Sequence, residues 1–185
     1  MPKLAANLSM MFNEVDFLDR FDSASKAGFK GVEYLFPYDY PADQIAEKLD
    51  QNGLTQALFD FPCGDWAGGE RGIGALPDRV GEFQDGIGTA VEYAKALNCE
   101  RLTVLAGKVP SGTDPRKLQE TLIENLKFAA NAVAGTNITV LLEAINTIDI
   151  PGYIVFRTNQ SRAAVEATGC PNVKVQYDIY HMQIM

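Results

Sequence analysis

Cysteine and histidine are scarce in this sequence of 185 residues, which contains three cysteines and one histidine. Cys63, Cys99 and Cys170 are far apart and lack the short pair spacing of a zinc knuckle or a redox motif. The single histidine, His181, falls short of the several that a multi-zinc site requires. The sequence therefore excludes small zinc modules and dithiol chemistry.

Basic residues are also too few for a surface that binds nucleic acid. The 16 Lys and Arg residues are outnumbered by 24 Asp and Glu residues, and the formal net charge is −8. Long apolar runs are missing too: no stretch approaches the roughly 18 apolar residues that cross a bilayer, and no signal-peptide core follows Met1. We therefore expect a cytoplasmic protein without nucleic-acid or membrane partners.

The sequence does contain a regular alternation of short apolar runs with longer segments of helical period, which is typical of a parallel sheet covered by helices. A complete (β/α)8 barrel of about 250 residues uses roughly 31 residues per unit, so a chain of this length corresponds to about six units. The pattern itself also indicates six. The predicted strands are residues 4–8, 31–36, 54–59, 101–105, 138–143 and 173–178.

An open doubly wound sheet would also accept six strands. Its usual phosphate-binding fingerprint, Gly-x-Gly-x-x-Gly after the first strand, is missing, because residues 7–12 contain no glycine. We therefore predict an α/β fold, an incomplete (β/α)8 TIM barrel with about six βα units, as a single domain over residues 1–185. Asn13 is predicted to cap the first helix, and no capped element is predicted after the sixth strand.

Carboxylates end two otherwise apolar strands, Glu143 after the fifth and Asp178 after the sixth. In parallel α/β sheets the active site lies beyond the carboxyl ends of the strands, and neighbouring strands are about 4.8 Å apart. A divalent cation such as Mg²⁺ or Mn²⁺ relieves the repulsion between two such groups and polarises a substrate carbonyl. The alternative for either acid alone is a helix cap or an ion pair with a lysine.

His181 follows Asp178 by three residues, on the loop past the last strand. At that place it faces the same pocket, as a proton-transfer group or as a hydrogen-bond donor to a substrate oxygen, or else it is a structural histidine. Asn7, at the end of the first strand, offers a neutral hydrogen bond to substrate or satisfies its own loop backbone.

The connection at residues 61–76 is long and contains five glycines, the only Trp and the pair Glu70 and Arg71. Such a segment is typical of a lid or a binding loop. The Arg71 guanidinium suits a carboxylate substrate, which it holds by two parallel hydrogen bonds; a solvated surface pair with Glu70 is the alternative. Lys108, just after the fourth strand, is a second candidate cation for substrate binding, although exposed lysines are common.

Six longer motifs are more specific than these single residues. They are NLSMMF at 7–12, PYD at 37–39, WAGGERG at 66–72, LLEAIN at 141–146, DIPG at 149–152 and QYDIYHMQ at 176–183. Together they closely resemble the hydroxypyruvate isomerase family of xylose-isomerase-like TIM barrels. The resemblance covers essentially all 185 residues.

The resemblance implies an Mg²⁺-type site with Glu143 and Asp178 as ligands, Glu143 also being one member of a catalytic glutamate pair. It further implies that His181 and the Glu70–Arg71 loop face a small 2-oxo acid substrate. The implied reaction interconverts hydroxypyruvate and 2-hydroxy-3-oxopropanoate (tartronate semialdehyde) through an enediolate.

Members of the resembled family continue through two further strands, which carry another metal ligand and the second catalytic glutamate. We therefore expect the 185-residue chain alone to bind metal weakly and to show little or no isomerase activity. Its unpaired sheet edges favour association into a homo-oligomer.

Two other functions are weighed against hydroxypyruvate isomerisation. Isomerisation of a 2-oxo-tetronate would use the same groups, because a carboxylate clamp and a metal do not set the length of the substrate. A noncatalytic binding or assembly module would show stability without any response to metal.

Overall fold

The computed structural model describes residues 2–185. Six parallel strands form one sheet whose order follows the chain, from β1 at one edge to β6 at the other. The strands are β1 (Ala5–Asn7), β2 (Gly31–Glu33), β3 (Thr55–Asp60), β4 (Arg101–Val104), β5 (Thr139–Glu143) and β6 (Val173–Gln176). The helices are α1 (Phe17–Lys26), α2 (Ala42–Asn52), α3 (Val80–Ala96), α4 (Pro115–Ala132), α5 (Thr158–Thr168) and α6 (Ile179–Gln183), with a 3-10 turn at Pro77–Arg79. The predicted six βα units are confirmed.

The helices form where an apolar stripe coincides with signals for a start and a stop. At the start of α4 the Asp114 carboxylate accepts a hydrogen bond of 2.9 Å from the backbone N–H of Arg116, which satisfies one free donor of the first turn. α2 ends at Gly53, whose φ of +59° is the left-handed conformation that glycine adopts without strain. The buried stripe of α4 includes Leu118, Leu122 and Leu126. None of the helices within residues 2–185 is long and apolar enough to cross a membrane.

The start of the first helix and the end of the sixth strand were predicted wrongly. α1 begins after Asp16, and the Asn13 side chain donates to the Met10 carbonyl instead of capping the helix. After β6 the chain forms the short helix α6, whose N-cap is Asp178. The carboxylate of Asp178 accepts a 2.7 Å bond from the N–H of Tyr180, so Asp178 lies two residues beyond β6 instead of ending it, held in place as a cap.

The outer face of the sheet is apolar and packs under the helices. Tyr34 follows β2 and stacks on Phe59 of β3 with ring centroids 6.4 Å apart, while Phe21 of α1 meets the edge of Tyr34 at 6.0 Å. All three rings are almost fully buried. These contacts anchor the first βα units and leave the other face of the sheet for polar groups.

The inner face carries polar side chains near the carboxyl ends of the strands. Side chains in register on neighbouring parallel strands point the same way. A hydrogen bond of 2.7 Å from the Thr103 hydroxyl in β4 to Gln176 in β6 crosses β5, which requires this face to be concave. We call these residues the inner polar row: the register pairs Asn7 with Glu33, Asp60 with Thr103 and Glu143 with Gln176.

The second half of the glycine loop, residues 61–76, is hydrogen-bonded to the residues that follow β4. Gly74 N–H donates to the Leu105 carbonyl at 3.0 Å, and Ala75 N–H donates to that of Ala106 at 2.9 Å. The buried Asn125 side chain of α4 donates to the Gly74 carbonyl at 2.9 Å. This half of the predicted lid is therefore fixed to the end of β4, and it holds the preceding residues, including Arg71, against the sheet.

Gly72 makes that attachment possible, because its φ is +112° and a Cβ there would lie 2.4 Å from the Leu105 carbonyl oxygen. We expect Gly72→Ala to lower the free energy of unfolding by about 3 kcal/mol, from backbone strain and steric overlap. Gly69→Ala is the matched control: its φ is +94°, but nothing lies within 4 Å of the added methyl, so it should cost about 1 kcal/mol. Urea denaturation measures both, and equal losses would contradict the role of close packing.

Candidate active site

Three side chains with metal-binding or proton-transfer chemistry meet beyond the ends of β5 and β6. One potential ligand atom from each of Glu143, Asp178 and His181 lies within 4.8 Å of the others. Glu143 is the last residue of β5 and is 7% exposed. Asp178 Oδ1 accepts the backbone bonds of its cap, and its Oδ2 lies 3.9 Å from His181 Nε2. The end of β5 and the cap of α6 thus bring together Glu143 and Asp178, which are 35 residues apart in the sequence.

The tautomer of His181 follows from its neighbour Asn146. Oδ1 of Asn146 accepts from the backbone N–H groups of Ile148, at 3.0 Å, and Asp149, at 2.8 Å. The amide nitrogen of Asn146 therefore faces His181 Nδ1, at 2.7 Å, and donates to it. A neutral imidazole that accepts at Nδ1 carries its proton on Nε2, so His181 presents an N–H donor towards the cluster.

Three carboxyl groups belong to the inner polar row: Glu143 and Asp60 are buried, and Glu33 is partly buried. Burial, followed by the nearby charge of Asp178, raises the pKa of Glu143 to about 8. Burial also raises the pKa of Glu33, and burial with the charges of Glu143 and Glu33 raises the pKa of Asp60 well above its usual range. No ion pair described for residues 2–185 involves any of the three. Protons or a bound cation must therefore compensate their charge.

The other predicted substrate-binding residues gather around the glycine loop. Glu70 is held by Arg79, with Nη1 2.6 Å from its carboxylate, and accepts the Asp65 N–H at 2.6 Å. The Arg71 guanidinium stacks at 4.2 Å over the Trp66 ring and uses Nη1 for two backbone carbonyls of the loop. Lys108 donates to the Gly69 carbonyl at 2.8 Å.

The structure thus forms two groups from the predicted residues. One comprises Glu143, Asp178 and His181, and the other joins the glycine loop to Lys108. No hydrogen bond or ion pair between the two groups is described for residues 2–185. Asn7 lies apart from both and donates to Glu33 at 3.1 Å. The Glu70 carboxylate is occupied by its pair with Arg79. In Arg71, by contrast, the Nε and Nη2 atoms make none of the hydrogen bonds described for residues 2–185.

Sequence reasoning missed four members of the inner polar row. β2 and β3 also end in carboxylates, Glu33 and Asp60, so the rule that identified Glu143 applied to them as well. The predicted strand 31–36 placed Glu33 in its middle, and the predicted strand 54–59 stopped one residue before Asp60. Thr103 and Gln176 gave no signal of their own, because uncharged polar residues are common in strands.

Comparison with known proteins agrees with this architecture. Residues 21–185 match the family described as xylose isomerase-like TIM barrel. A 2-oxo-tetronate isomerase of Cupriavidus necator is 51% identical over 185 residues, covering 100% of this chain and 71% of the relative. A hydroxypyruvate isomerase of Escherichia coli is 46% identical over 185 residues, covering 100% of this chain and 72% of the relative.

A solved structure gives the same result. The crystal structure of a protein described as AP endonuclease, family 2, from Brucella melitensis has a TM-score of 0.97 and 50% identity, covering 100% of this chain and 71% of that one. The predicted TIM-barrel type and the resemblance to hydroxypyruvate isomerase are confirmed by these matches. The chain belongs to the xylose isomerase-like TIM barrel family.

Proposed function

We propose that the chain isomerises a small 2-oxo acid, with hydroxypyruvate and 2-hydroxy-3-oxopropanoate as the interconverted pair. Its relatives are named isomerases, and the family makes the chain an enzyme of the aldose–ketose isomerase type. We place the active site at the carboxyl ends of β5 and β6, because Glu143, Asp178 and His181 cluster there.

A divalent cation fits this cluster. Glu143 is buried among carboxyl groups, and no described ion pair of residues 2–185 neutralises it. Oxygen donors of this kind suit Mg²⁺ or Mn²⁺. Glu143 and Asp178 would hold the ion, which would stabilise negative charge on the substrate oxygens. We assign His181 to the substrate, because its Nε2 carries a proton.

Isomerisation requires one proton to move between two neighbouring carbons. We assign proton removal from C3 of hydroxypyruvate to the Glu143 carboxylate, and the C–H electron pair then shifts into an enediolate. The His181 Nε2–H donates a hydrogen bond to an enediolate oxygen. Return of the proton from Glu143 to C2, with transfer of the C3 hydroxyl proton to the C2 oxygen, gives 2-hydroxy-3-oxopropanoate and restores the Glu143 carboxylate.

Exchange in D2O tests this assignment. With Mg²⁺ present, abstraction by Glu143 should replace the C3 hydrogens of hydroxypyruvate by deuterium, which proton NMR follows directly. Exchange reports on the first proton transfer alone, so it can be followed at saturating Mg²⁺ even though the 185-residue chain is expected to show little or no complete isomerisation. A folded chain that catalyses no exchange at saturating substrate and Mg²⁺ would contradict the proposal.

We infer that Arg71 binds the substrate carboxylate, because Nε and Nη2 form one free edge of a guanidinium that Trp66 holds in place. We expect Arg71→Gln to raise KM for hydroxypyruvate about 10-fold to 100-fold, the equivalent of a charge-assisted hydrogen bond. Steady-state kinetics measures it, with Arg116→Gln as the control, since Arg116 is 87% exposed and pairs with Asp114. An unchanged KM in the Arg71 variant would exclude this role.

A second candidate substrate is a 2-oxo-tetronate. The observation in its favour is that the relative from Cupriavidus necator, at 51% identity, is named 2-oxo-tetronate isomerase. Both substrates carry a carboxylate, a neighbouring carbonyl and a hydroxyl-bearing carbon, so the same residues serve either. Values of kcat/KM measured side by side for the two acids decide which one the chain prefers.

A further inference from the structure

The short helix α6 carries His181 and is capped by Asp178, yet little apolar packing holds it in place. All five of its residues are exposed or partly buried. Ile179 is 70% exposed and Tyr180 is 59% exposed, while Met182 is partly buried against the core. Polar contacts must therefore fix much of the position of α6 relative to the sheet.

The first polar contact joins α6 to the loop after β5 through the fully buried Asn146. Its Nδ2 atom lies 2.7 Å from His181 Nδ1 and donates to Asp149 Oδ2 at 2.9 Å. Its Oδ1 atom accepts from the backbone N–H groups of Ile148 and Asp149. With two protons donated and two bonds accepted, the amide has no hydrogen-bonding capacity left, and these bonds hold it in one orientation.

The second polar contact joins the same loop to α6 through Asp149. The Tyr180 hydroxyl donates to Asp149 Oδ2 at 2.7 Å, and the same oxygen accepts from Asn146. Two donors on one oxygen are expected of an ionised carboxylate, and these hydrogen bonds lower the pKa of Asp149. Tyr180 and His181 are neighbours in the chain, so the two contacts close a ring between the loop and the helix.

We propose that Asp149 is a positioning residue that docks α6 on the loop after β5. It does so by accepting hydrogen bonds from Asn146 and Tyr180 on one oxygen, and we call these three residues the α6 clamp. The docked helix keeps its cap, Asp178, and His181 in the candidate active site. The inference rests on the proposed function of that site, on which Asp149 acts through α6.

Three variants test the α6 clamp in the metal-free chain. Tyr180→Phe removes the donor hydroxyl, and Asp149→Ala removes the acceptor. Asp149→Asn keeps one oxygen for both donors, because the hydrogen bonds described for residues 2–185 use only Oδ2 and the new NH2 group can take the place of Oδ1. Tyr177→Phe is the matched control, since Tyr177 is 62% exposed and its hydroxyl takes part in no hydrogen bond described for residues 2–185.

Nitrogen-15 NMR observes the docked helix directly, because the chain contains a single histidine. At about pH 8, where an unperturbed imidazole is neutral, the unchanged chain should show a scalar coupling across the hydrogen bond between Asn146 Nδ2 and His181 Nδ1. We expect this coupling to be reduced in Tyr180→Phe and Asp149→Ala and to be unchanged in Asp149→Asn and Tyr177→Phe.

Three results of this measurement would overturn the α6 clamp. The first is a coupling that is absent from the unchanged chain. The second is a coupling of undiminished size in Tyr180→Phe or Asp149→Ala. The third is a reduced coupling in Asp149→Asn or Tyr177→Phe, because the effect would then not depend on the hydrogen bonds of the clamp.

Calorimetric titration with Mn²⁺ separates this inference from the proposed function. Because Asp178 caps α6, we expect Tyr180→Phe to weaken Mn²⁺ binding about 3-fold to 10-fold. Asp149→Ala should bind Mn²⁺ more weakly than Asp149→Asn by a similar factor, although both variants lack the same charge. Adding Tyr180→Phe to Asp149→Ala should cause no further loss, since both changes break one hydrogen bond.

Equal affinities of Tyr180→Phe and the unchanged chain, or additive losses in the double variant, would overturn the α6 clamp. Absence of Mn²⁺ binding in the unchanged chain would count against the proposed function, and the NMR coupling would then decide the clamp alone.

Discussion

Replacing Glu143 by Gln is expected to lower the rate of C3 proton exchange in hydroxypyruvate by about 10²-fold to 10⁴-fold, the usual contribution of a positioned general base. The amide keeps the size of the side chain, which is 7% exposed at the end of β5, but it accepts no proton from carbon. It also removes one of the two carboxylates proposed to hold the cation. Exchange in D2O measures the loss.

Glu166→Gln serves as the control for this result, because Glu166 lies on α5 and forms a surface pair with Arg162. It should leave the exchange rate unchanged. If Glu143→Gln exchanged hydrogen within threefold of the unchanged chain, the base would have to be another residue. The neighbouring carboxylates of the inner polar row, Glu33 and Asp60, would be the next to replace.

The metal-free chain is expected to lose stability as pH rises from about 5 to about 8. The pKa of Glu143 is about 8 in the folded chain, compared with an ordinary 4.5, so the folded state binds the proton more tightly than the unfolded state. Its contribution is fully present below pH 4.5 and is lost as pH passes through about 8. The difference corresponds to a free energy of unfolding on the order of 5 kcal/mol.

Urea denaturation across this pH range measures the loss, and Glu143→Gln is the decisive comparison because it removes the titrating group. The variant should show a flatter pH dependence and a higher free energy of unfolding than the unchanged chain at pH 9. Mg²⁺ or Mn²⁺ at 100 times its dissociation constant should restore about 2.7 kcal/mol to the unchanged chain. An identical pH dependence in both chains would contradict the assignment, and a noncatalytic module would show no response to metal.

The fold was predictable because it depends on local patterns. Asp114, Pro115 and the leucine stripe of α4 mark the start and the buried face of that helix, and the structure has both as expected. The start of the first helix was less clear, because Asn13 and Asp16 are both suitable cap residues, and in the structure the helix begins after Asp16. Short helices such as α6 lack a full apolar stripe, and the sequence pattern therefore left α6 unpredicted.

The candidate site was predictable only in part, since it depends on contacts between strands. Glu143 followed from a single feature, a charge that ends an apolar strand, and the same feature placed Asp178 near it. The hydrogen bond from Thr103 to Gln176 joins residues 73 positions apart across an intervening strand. No sequence pattern in either strand predicts it. The proton on His181 Nε2 depends on Asn146, whose amide is oriented by its own loop backbone.

The agreement between strand order and chain order has a consequence for synthesis on the ribosome. Each βα unit that emerges adds to the free edge left by the unit before it, and no strand has to enter between two that are already paired. Glu33 and Asp60 are therefore enclosed first, and Glu143 joins them while Asp178 is still to be translated. The two carboxylates proposed to hold the cation are therefore both present only once the sixth unit has emerged, after the first five strands have been made.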